Sequence, residues 1–552
     1  MNAIPPASRA GRETTTRPVV AAPYAPDAGL PWPGLARLPA WLRLADPQVA
    51  AAVAIISAFT VLRLLAAAWV GLGVDEAYTL AISRRLALSY YDHPPLHQWI
   101  VHLFGDVLGY GRAARLPFVL LFAGSSWMLF RLTRHLFGAR AGVWAVVALN
   151  LSAFFSVIAG GWVLPDGPLI FCLLAAADQL ARILFPAPAA LGARASGSMR
   201  AWALAGIWIG LAGLSKYQAI LYAAGLVILL AASRADRGQL KRPGPYVAAL
   251  IAAVIVSPVI VWNAQHHWVS FLFQGGRGLP GHGLRPGGPV VAFLGQAAVM
   301  LPWVMAPLVM ALWRPGPAGW GSRRRWFCLA LSGPAILLFT LTPIWGQASL
   351  PHWAMPGWLF VMPLAGEFMA RESAVKPWPR TWAALSFCAF LALWSFVVVE
   401  AATGWLGRAW PAVFTHGDPT LESVEWTSAQ VLDHSAVMAD PGLFLIAAKW
   451  NEAGRLVEAF GARRPIVVAS SDPRGFAYDG APGSLVGRDG LLVVERPDAE
   501  TTLARLRPCF ATVQPAGSVQ FGRQGSPEVR LETFVGRRLS AHCAGLGTLP
   551  PR

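Results

Sequence analysis

From residue 49 to residue 400 the chain alternates long apolar runs with short polar breaks. A helix needs about 20 apolar residues to cross the hydrocarbon of a bilayer. The runs predict eleven spans, roughly 49–71, 116–134, 141–158, 167–185, 201–214, 218–232, 246–262, 290–312, 326–343, 353–370 and 381–400. Some are short or interrupted by Gly and Pro. Residues 1–48 lack the pattern and are rich in Pro, Ala and Arg, which predicts a disordered cytoplasmic tail ahead of a retained signal anchor. After residue 401 the spans stop. Residues 464–470 and 490–495 read as short buried strands, and 443–460 has helical periodicity. A small α/β domain over 401–552 is expected.

Basic residues decide which side each loop faces. With the N-terminus inside, the inner segments 1–48, 131–140, 182–200, 233–242, 314–325 and 371–380 carry 22 Lys and Arg. The outer segments 72–115, 159–166, 215–217, 263–289 and 344–352 carry seven. The prediction is an α-helical polytopic protein of the cell inner membrane, with its N-terminus in, its C-terminus out and residues 49–400 as the transmembrane domain. The C-terminal domain is then extracytoplasmic.

Composition narrows the class. Of 552 residues, 55% are hydrophobic and 13% charged, against about a quarter charged in soluble domains. This excludes a cytosolic enzyme, a disordered chain and a coiled coil. The net charge of +17 would suggest nucleic acid in a soluble protein. Here the positive-inside pattern accounts for it, and no nucleic-acid partner is expected. Five cysteines are too few for a disulfide scaffold, and no Cys/His group has zinc spacing. Cys172, Cys328 and Cys388 fall in spans. Cys509 and Cys543 fall in the outer domain, where disulfides are allowed.

The outer loops hold the densest chemistry. Asp75-Glu76-Ala77-Tyr78 follows the first span, and Tyr90-Tyr91-Asp92-His93-Pro94-Pro95-Leu96 follows soon after. Leu96, Ile100, Leu103 and Phe104 recur at helical spacing and would lay a helix on the membrane surface. Further along the chain come Pro165-Asp166-Gly167, Ser215-Lys216-Tyr217, Asn263 to Trp268 with the pair His266-His267, Gln274 to Arg277, and Leu350-Pro351-His352-Trp353. Taken alone, each has a bland explanation: a polar helix boundary, a snorkelling lysine, a histidine that is no ligand. Jointly, Asp75, Glu76, Tyr91, Asp92, His93, Asp166, Lys216, Arg277 and His352 all fall on one predicted side. Acids beside span one and cations from four loops suit a carboxylate base next to a phosphate held at the bilayer surface. No metal is assigned, although Asp75, Glu76 and Asp166 could offer oxygens to a divalent ion. Arg63, inside span one, should face the bundle and find a partner.

In order, the motifs DEAY, YYDHPPL, PDGPL, LSKYQ, SPVIVWNAQHHW with FQGGR, and LPHW resemble those of bacterial glycosyltransferase family 39. These membrane enzymes have the GT-C fold and are related to protein O-mannosyltransferases and to the aminoarabinose and galacturonic acid transferases of lipid A. The resemblance covers roughly residues 50–370. It implies a polyprenyl-phosphate sugar donor and an extracytoplasmic hydroxyl acceptor on a lipid, glycan or protein, with membrane lipids as surroundings. It also implies that Asp75 is the base and that His93 and Arg277 contact the donor phosphate, with Lys216 and His352 near it. The lipid A transferases have Lys where this chain has His93. Because a held polyprenyl phosphate leaves readily, one carboxylate suffices for a single inverting displacement. A protein O-glycosyltransferase of the same family is the first alternative, and a lipid-linked sugar transporter or flippase is the second. The second would place ionisable groups at the bilayer midplane in two related halves, whereas these charges gather in outer loops.

Overall fold

The computed structural model describes residues 46–186, 198–277, 283–346, 349–414, 417–434, 436–478 and 482–547. The expected tail therefore lies outside the described residues, except for its last three positions. Helix α1 (Pro47–Trp69) starts at Asp46, whose carboxylate accepts the Gln48 amide and satisfies one orphan donor. There follow α2 (Val74–Ile82), α3 (Leu96–Leu108), α4 (Leu116–Phe137), α5 (Ala139–Asn150), α6 (Asp166–Leu184), α7 (Met199–Ser215) and α8 (Ala219–Ala232). Then come α9 (Gly244–Gln265), α10 (Val269–Gly276), α11 (Gly288–Met300), α12 (Pro302–Trp313), α13 (Arg323–Leu341), α14 (Met355–Leu359), α15 (Met362–Val375) and α16 (Trp378–Thr403).

Each expected apolar run is helical, but eleven uniform spans do not describe them. Among the described residues, six stretches are long and apolar enough to cross a membrane: Pro47–Trp69, Arg112–Phe137, Asp166–Leu184, Gly244–Gln265, Arg323–Trp345 and Trp378–Thr403. The run 290–312 is the pair α11 and α12, bent by 117°. Leu301 at the bend has φ 76° and precedes Pro302. A residue before proline avoids helical backbone, and proline brings no N–H. The run 141–158 is α5 followed by a π-helical turn, Phe154–Ala159. Helices α7 and α8 have only 17 and 14 residues, and 353–370 is divided between α14 and α15.

The bundle core centres on α5, α6 and α15, where Trp144, Phe154, Phe155, Phe360 and Phe368 are fully buried. Helices α1, α9 and α16 leave Leu65, Leu250 and Leu385 exposed, as lipid-facing helices must. Arg63 does face inward. Its Nε donates to the Ser156 carbonyl at 2.8 Å, and Nη2 donates to Asn150 Oδ1 at 2.6 Å and Ser156 Oγ at 2.8 Å.

The C-terminal part begins with α17 (Trp405–Ala409) and contains β1 (Phe444–Ala447), α18 (Trp450–Phe460), β2 (Ile466–Val468), β3 (Gly490–Glu495), α19 (Ala499–Leu506), β4 (Phe510–Phe521) and β5 (Val529–Leu539). The sheet order is β2-β1-β3-β5-β4, with the first three strands parallel and the rest antiparallel. Both expected strands are present as β2 and β3. The expected helix over 443–460 is instead β1 followed by α18. All four β1 residues are buried, so the segment shows no strand alternation and periodicity alone cannot tell it from helix. Cys509 and Cys543 are disulfide-bonded, with Cα atoms 5.4 Å apart, which closes the β4–β5 hairpin.

This domain grips α2. A Cβ on Gly454 of α18 would lie 2.7 Å from the Tyr78 amide nitrogen, so only glycine allows the approach. Tyr78, Ala81 and Ile82 share one buried cluster with Leu445, Val493 and Leu531 of the sheet.

Candidate functional site

Helix α2 carries two adjacent acids, and successive helical residues point about 100° apart. Glu76 turns inward and is 1% exposed. It reaches back to the Gly73 amide at 3.0 Å, the glutamate half of a capping box. It also accepts Arg115 Nε at 2.8 Å, Arg115 Nη2 at 2.5 Å and the Val163 amide at 3.0 Å. Arg115 in turn holds the carbonyls of Ala67, Val70 and Gly71. The expectation that Glu76 joins Asp75 as a free acid of the site is corrected here. Its oxygens are committed to Arg115 and two backbone amides.

Asp75 points the other way and is open to solvent. Burial among its neighbours nevertheless raises its pKa above the ordinary carboxylate value. Arg474 acts against this, Asp92 and Glu76 reinforce it, and Arg277 again opposes it. An accessible carboxylate with raised basicity is suited to taking a proton.

Asp92 is buried. Its Oδ1 accepts the Tyr78 hydroxyl at 3.1 Å, and its Oδ2 lies 4.0 Å from Arg474 Nη1. It does not cap α3, whose N-cap is Pro95. Tyr91 packs against Phe273 and Tyr478, with ring centroids 4.8 and 6.1 Å away. Arg277, at the end of α10, lies over Trp353 at 5.2 Å and Phe273 at 5.6 Å.

Asp166 and Lys216 form a buried ion pair, Nζ to both carboxylate oxygens at 2.9 and 3.0 Å. Lys216 is thus a bundle lysine and does not snorkel. His93 lies beside this pair. Burial pulls its pKa down to about 3, and Lys216 adds to that. His352, stacked on Phe154 at 6.3 Å, is pulled to about 4, again by burial first and Lys216 next. The expectation of cations from four loops is corrected accordingly. Lys216 and Arg277 bring charge, while His93 and His352 are neutral at neutral pH and can only offer hydrogen bonds. His97, ring to ring with His93 at 5.7 Å, is a further buried imidazole. Its pKa is depressed well below the usual value by burial, with His93 adding to that.

The structure therefore brings Asp75, Asp92, His93, Asp166, Lys216, Arg277 and His352 into one electrostatic neighbourhood, with Tyr91 in its wall. Asp75, Glu76 and Asp166 do not converge as oxygen ligands, because Glu76 and Asp166 face separate cations. The group Cys509, His542 and Cys543 clusters like metal ligands, but both of its sulfurs are in the disulfide. His266 stacks on Trp262 at 4.1 Å and contacts its carbonyl at 2.7 Å. His267 and Trp268 adopt positive φ to turn α9 into α10, so the pair is a corner. Helix α3 exposes Leu103, Phe104 and Val107, the apolar face its spacing predicts. Sequence reasoning missed Arg115, Arg474 and Tyr478. The only cue to Arg474 was its turn-like setting, Asp472-Pro473-Arg474-Gly475.

Residues 92–262 match a family described as dolichyl-phosphate-mannose-protein mannosyltransferase. Over 329 residues, 56% of the chain, the sequence is 25% identical to the lipid A galacturonosyltransferase RgtD of Rhizobium johnstonii; the match spans 61% of that protein's length. The fold matches ArnT from Cupriavidus metallidurans. Against the apo structure the TM-score is 0.60 at 17% identity, covering 87% of this chain and 97% of ArnT. Against the structure bound to undecaprenyl phosphate it is 0.62 at 17% identity, covering 91% and 99%.

Proposed function

We propose that this chain is a GT-C membrane glycosyltransferase that transfers a sugar from a polyprenyl-phosphate donor to an extracytoplasmic hydroxyl by a single inverting displacement. The observation that carries the reading is Asp75: an accessible carboxylate of raised pKa, within charge reach of Arg277. Two features of relatives supply the substrate classes. An ArnT structure holds undecaprenyl phosphate, and RgtD is a lipid A transferase. The proposed acceptor is lipid A, another glycolipid or a cell-envelope glycan. The matching family's description favours a protein hydroxyl as the second reading.

The acceptor oxygen attacks the anomeric carbon as the bond to the phosphate oxygen breaks. The acceptor proton passes to Asp75, and the charge that grows on the leaving phosphate is met by Arg277 and Lys216. Asp166 fixes the Lys216 ammonium, while His93 and His352 offer neutral donors. Tyr91 and Asp92 shape the wall between donor and acceptor. The proposed topology is N-terminus in and C-terminus out in the inner membrane, with 49–400 as the transmembrane domain and 401–552 outside. Mass spectrometry of envelope glycolipids and glycoproteins from cells with and without the gene tests the proposal. A hexose or pentose increment lost from a glycolipid supports the first acceptor class, and one lost from a protein supports the second. An unchanged envelope, together with no transfer by the purified chain, refutes both.

A further inference from the structure

The turn after β2 belongs to the C-terminal domain, yet it touches the acids of the candidate site. Tyr78 Oη accepts the Gly475 amide at 2.9 Å and donates to Asp92 Oδ1 at 3.1 Å. A Cβ on Gly475 would lie 2.7 Å from that hydroxyl, so glycine is needed for the contact. Arg474 itself has φ 49°, a conformation non-glycine residues rarely adopt and one that clusters at functional sites. Its guanidinium lies 3.7 Å from the centre of the Trp450 ring, 3.5 Å from Asp472 and 4.0 Å from Asp92 Oδ2. Trp450 is in turn packed edge-on against Tyr78 at 5.2 Å. A strained backbone, an aromatic shelf and a hydrogen-bonded neighbour all aim one cation at one buried carboxylate.

We propose that Arg474 is a positioning residue of the site, supplied by the C-terminal domain, which holds Asp92 in place and sets a positive charge against the acids around Asp75. The inference rests on the reading of Asp75 as the base. Four charged groups face Asp75: Glu76 on its own helix, Asp92 before α3, Arg277 at the end of α10, and Arg474. Glu76 is engaged by Arg115. Of the charges that lower the Asp75 pKa, Arg474 is the larger and Arg277 the smaller. Both guanidinium groups feel the same acids, and Arg277 is itself pulled down first by burial and then by Arg474. The C-terminal domain is then part of the catalytic apparatus rather than a cover over it.

The sign is fixed by electrostatics. Removing a nearby cation raises a carboxylate pKa, so the base form is lost at a higher pH and the acid limb of the rate profile moves up. The test is the pH profile of transfer by the purified full chain, comparing wild type with Arg474→Ala, Arg474→Gln and Arg474→Lys. Arg474→Ala and Arg474→Gln should shift the acid limb up by about one pH unit, an about tenfold deficit below the limb relative to each variant's own plateau. Arg474→Lys should return most of the shift. Arg474→Gln keeps polar contacts without charge and stands in if the alanine variant does not fold. Limbs that superimpose on wild type in both neutral variants, with only the plateau lowered, overturn the proposal and leave Arg474 a domain latch. Asp75→Asn separates the two ideas: if it turns over normally, the base assignment fails whatever the Arg474 variants do.

Discussion

Asp75 and Glu76 are neighbours of the same chemical kind, and the structure gives them opposite fates that substitution can separate. Glu76→Gln keeps the shape and removes one charge. Glu76 now accepts four hydrogen bonds, from Arg115 Nε, Arg115 Nη2 and the Val163 and Gly73 amides. A glutamine oxygen in the Oε1 place would still accept from Arg115 Nε and Val163. Its amide nitrogen in the Oε2 place would set donor against donor, facing the Gly73 amide and Arg115 Nη2. The Arg115 guanidinium, 2% exposed, would be left without its counter-charge. Breaking a buried pair from one side costs about 3–5 kcal/mol. We expect Glu76→Gln to lower the unfolding temperature of the detergent-solubilised protein markedly, and to lower activity only in step with folded protein. Asp75→Asn changes an accessible side chain with no comparable partners among the described residues, so its unfolding should match wild type while transfer falls by about 10² or more. Differential scanning fluorimetry and a transfer assay on the same preparations decide it. Glu76→Gln unfolding with wild type, or Asp75→Asn transferring sugar normally, would refute the division of roles.

Arg277→Ala should raise the KM for the lipid-phosphate donor more than that for the acceptor, because charge-assisted bonds to phosphate contribute a few kcal/mol in a shielded site; an effect confined to acceptor KM would assign the residue to the other substrate. Cys509 and Cys543 should resist alkylation until reductant is added, and replacing the pair should destabilise the C-terminal domain by about 3–4 kcal/mol in the chain-entropy model; full labelling before reduction contradicts the bridge. Reporter fusions after residues 240, 320 and 375 should signal cytoplasm and a fusion after 450 the outer side, and a cytoplasmic signal at 450 would put the Arg474 turn on the wrong face of the membrane.

Which parts were legible in the sequence follows from how far each feature depends on distant chain. Apolar runs are local, and every one became helix. Their continuity was not local: Leu301 before Pro302 bends one run by 117°, and no count of apolar residues registers that. The motifs named residues that the fold gathers into one neighbourhood, since acids and bases embedded in apolar surroundings stand out against so few charges. Their protonation was hidden because it depends on burial. His93 and Lys216 look alike as potential cations, yet packing leaves one neutral and ties the other to Asp166. The adjacent Asp75 and Glu76 looked like one device, and only the helical turn together with Arg115, 39 residues away, divides them. Arg474 was the least visible. Nothing in Asp472-Pro473-Arg474-Gly475 marks chemistry, and its meaning arises from a contact between Gly475 and Tyr78 across 397 residues. That contact requires glycines at 454 and 475, where any side chain would strike α2. Two residues without side chains thus fix where a cation of one domain meets an acid of the other.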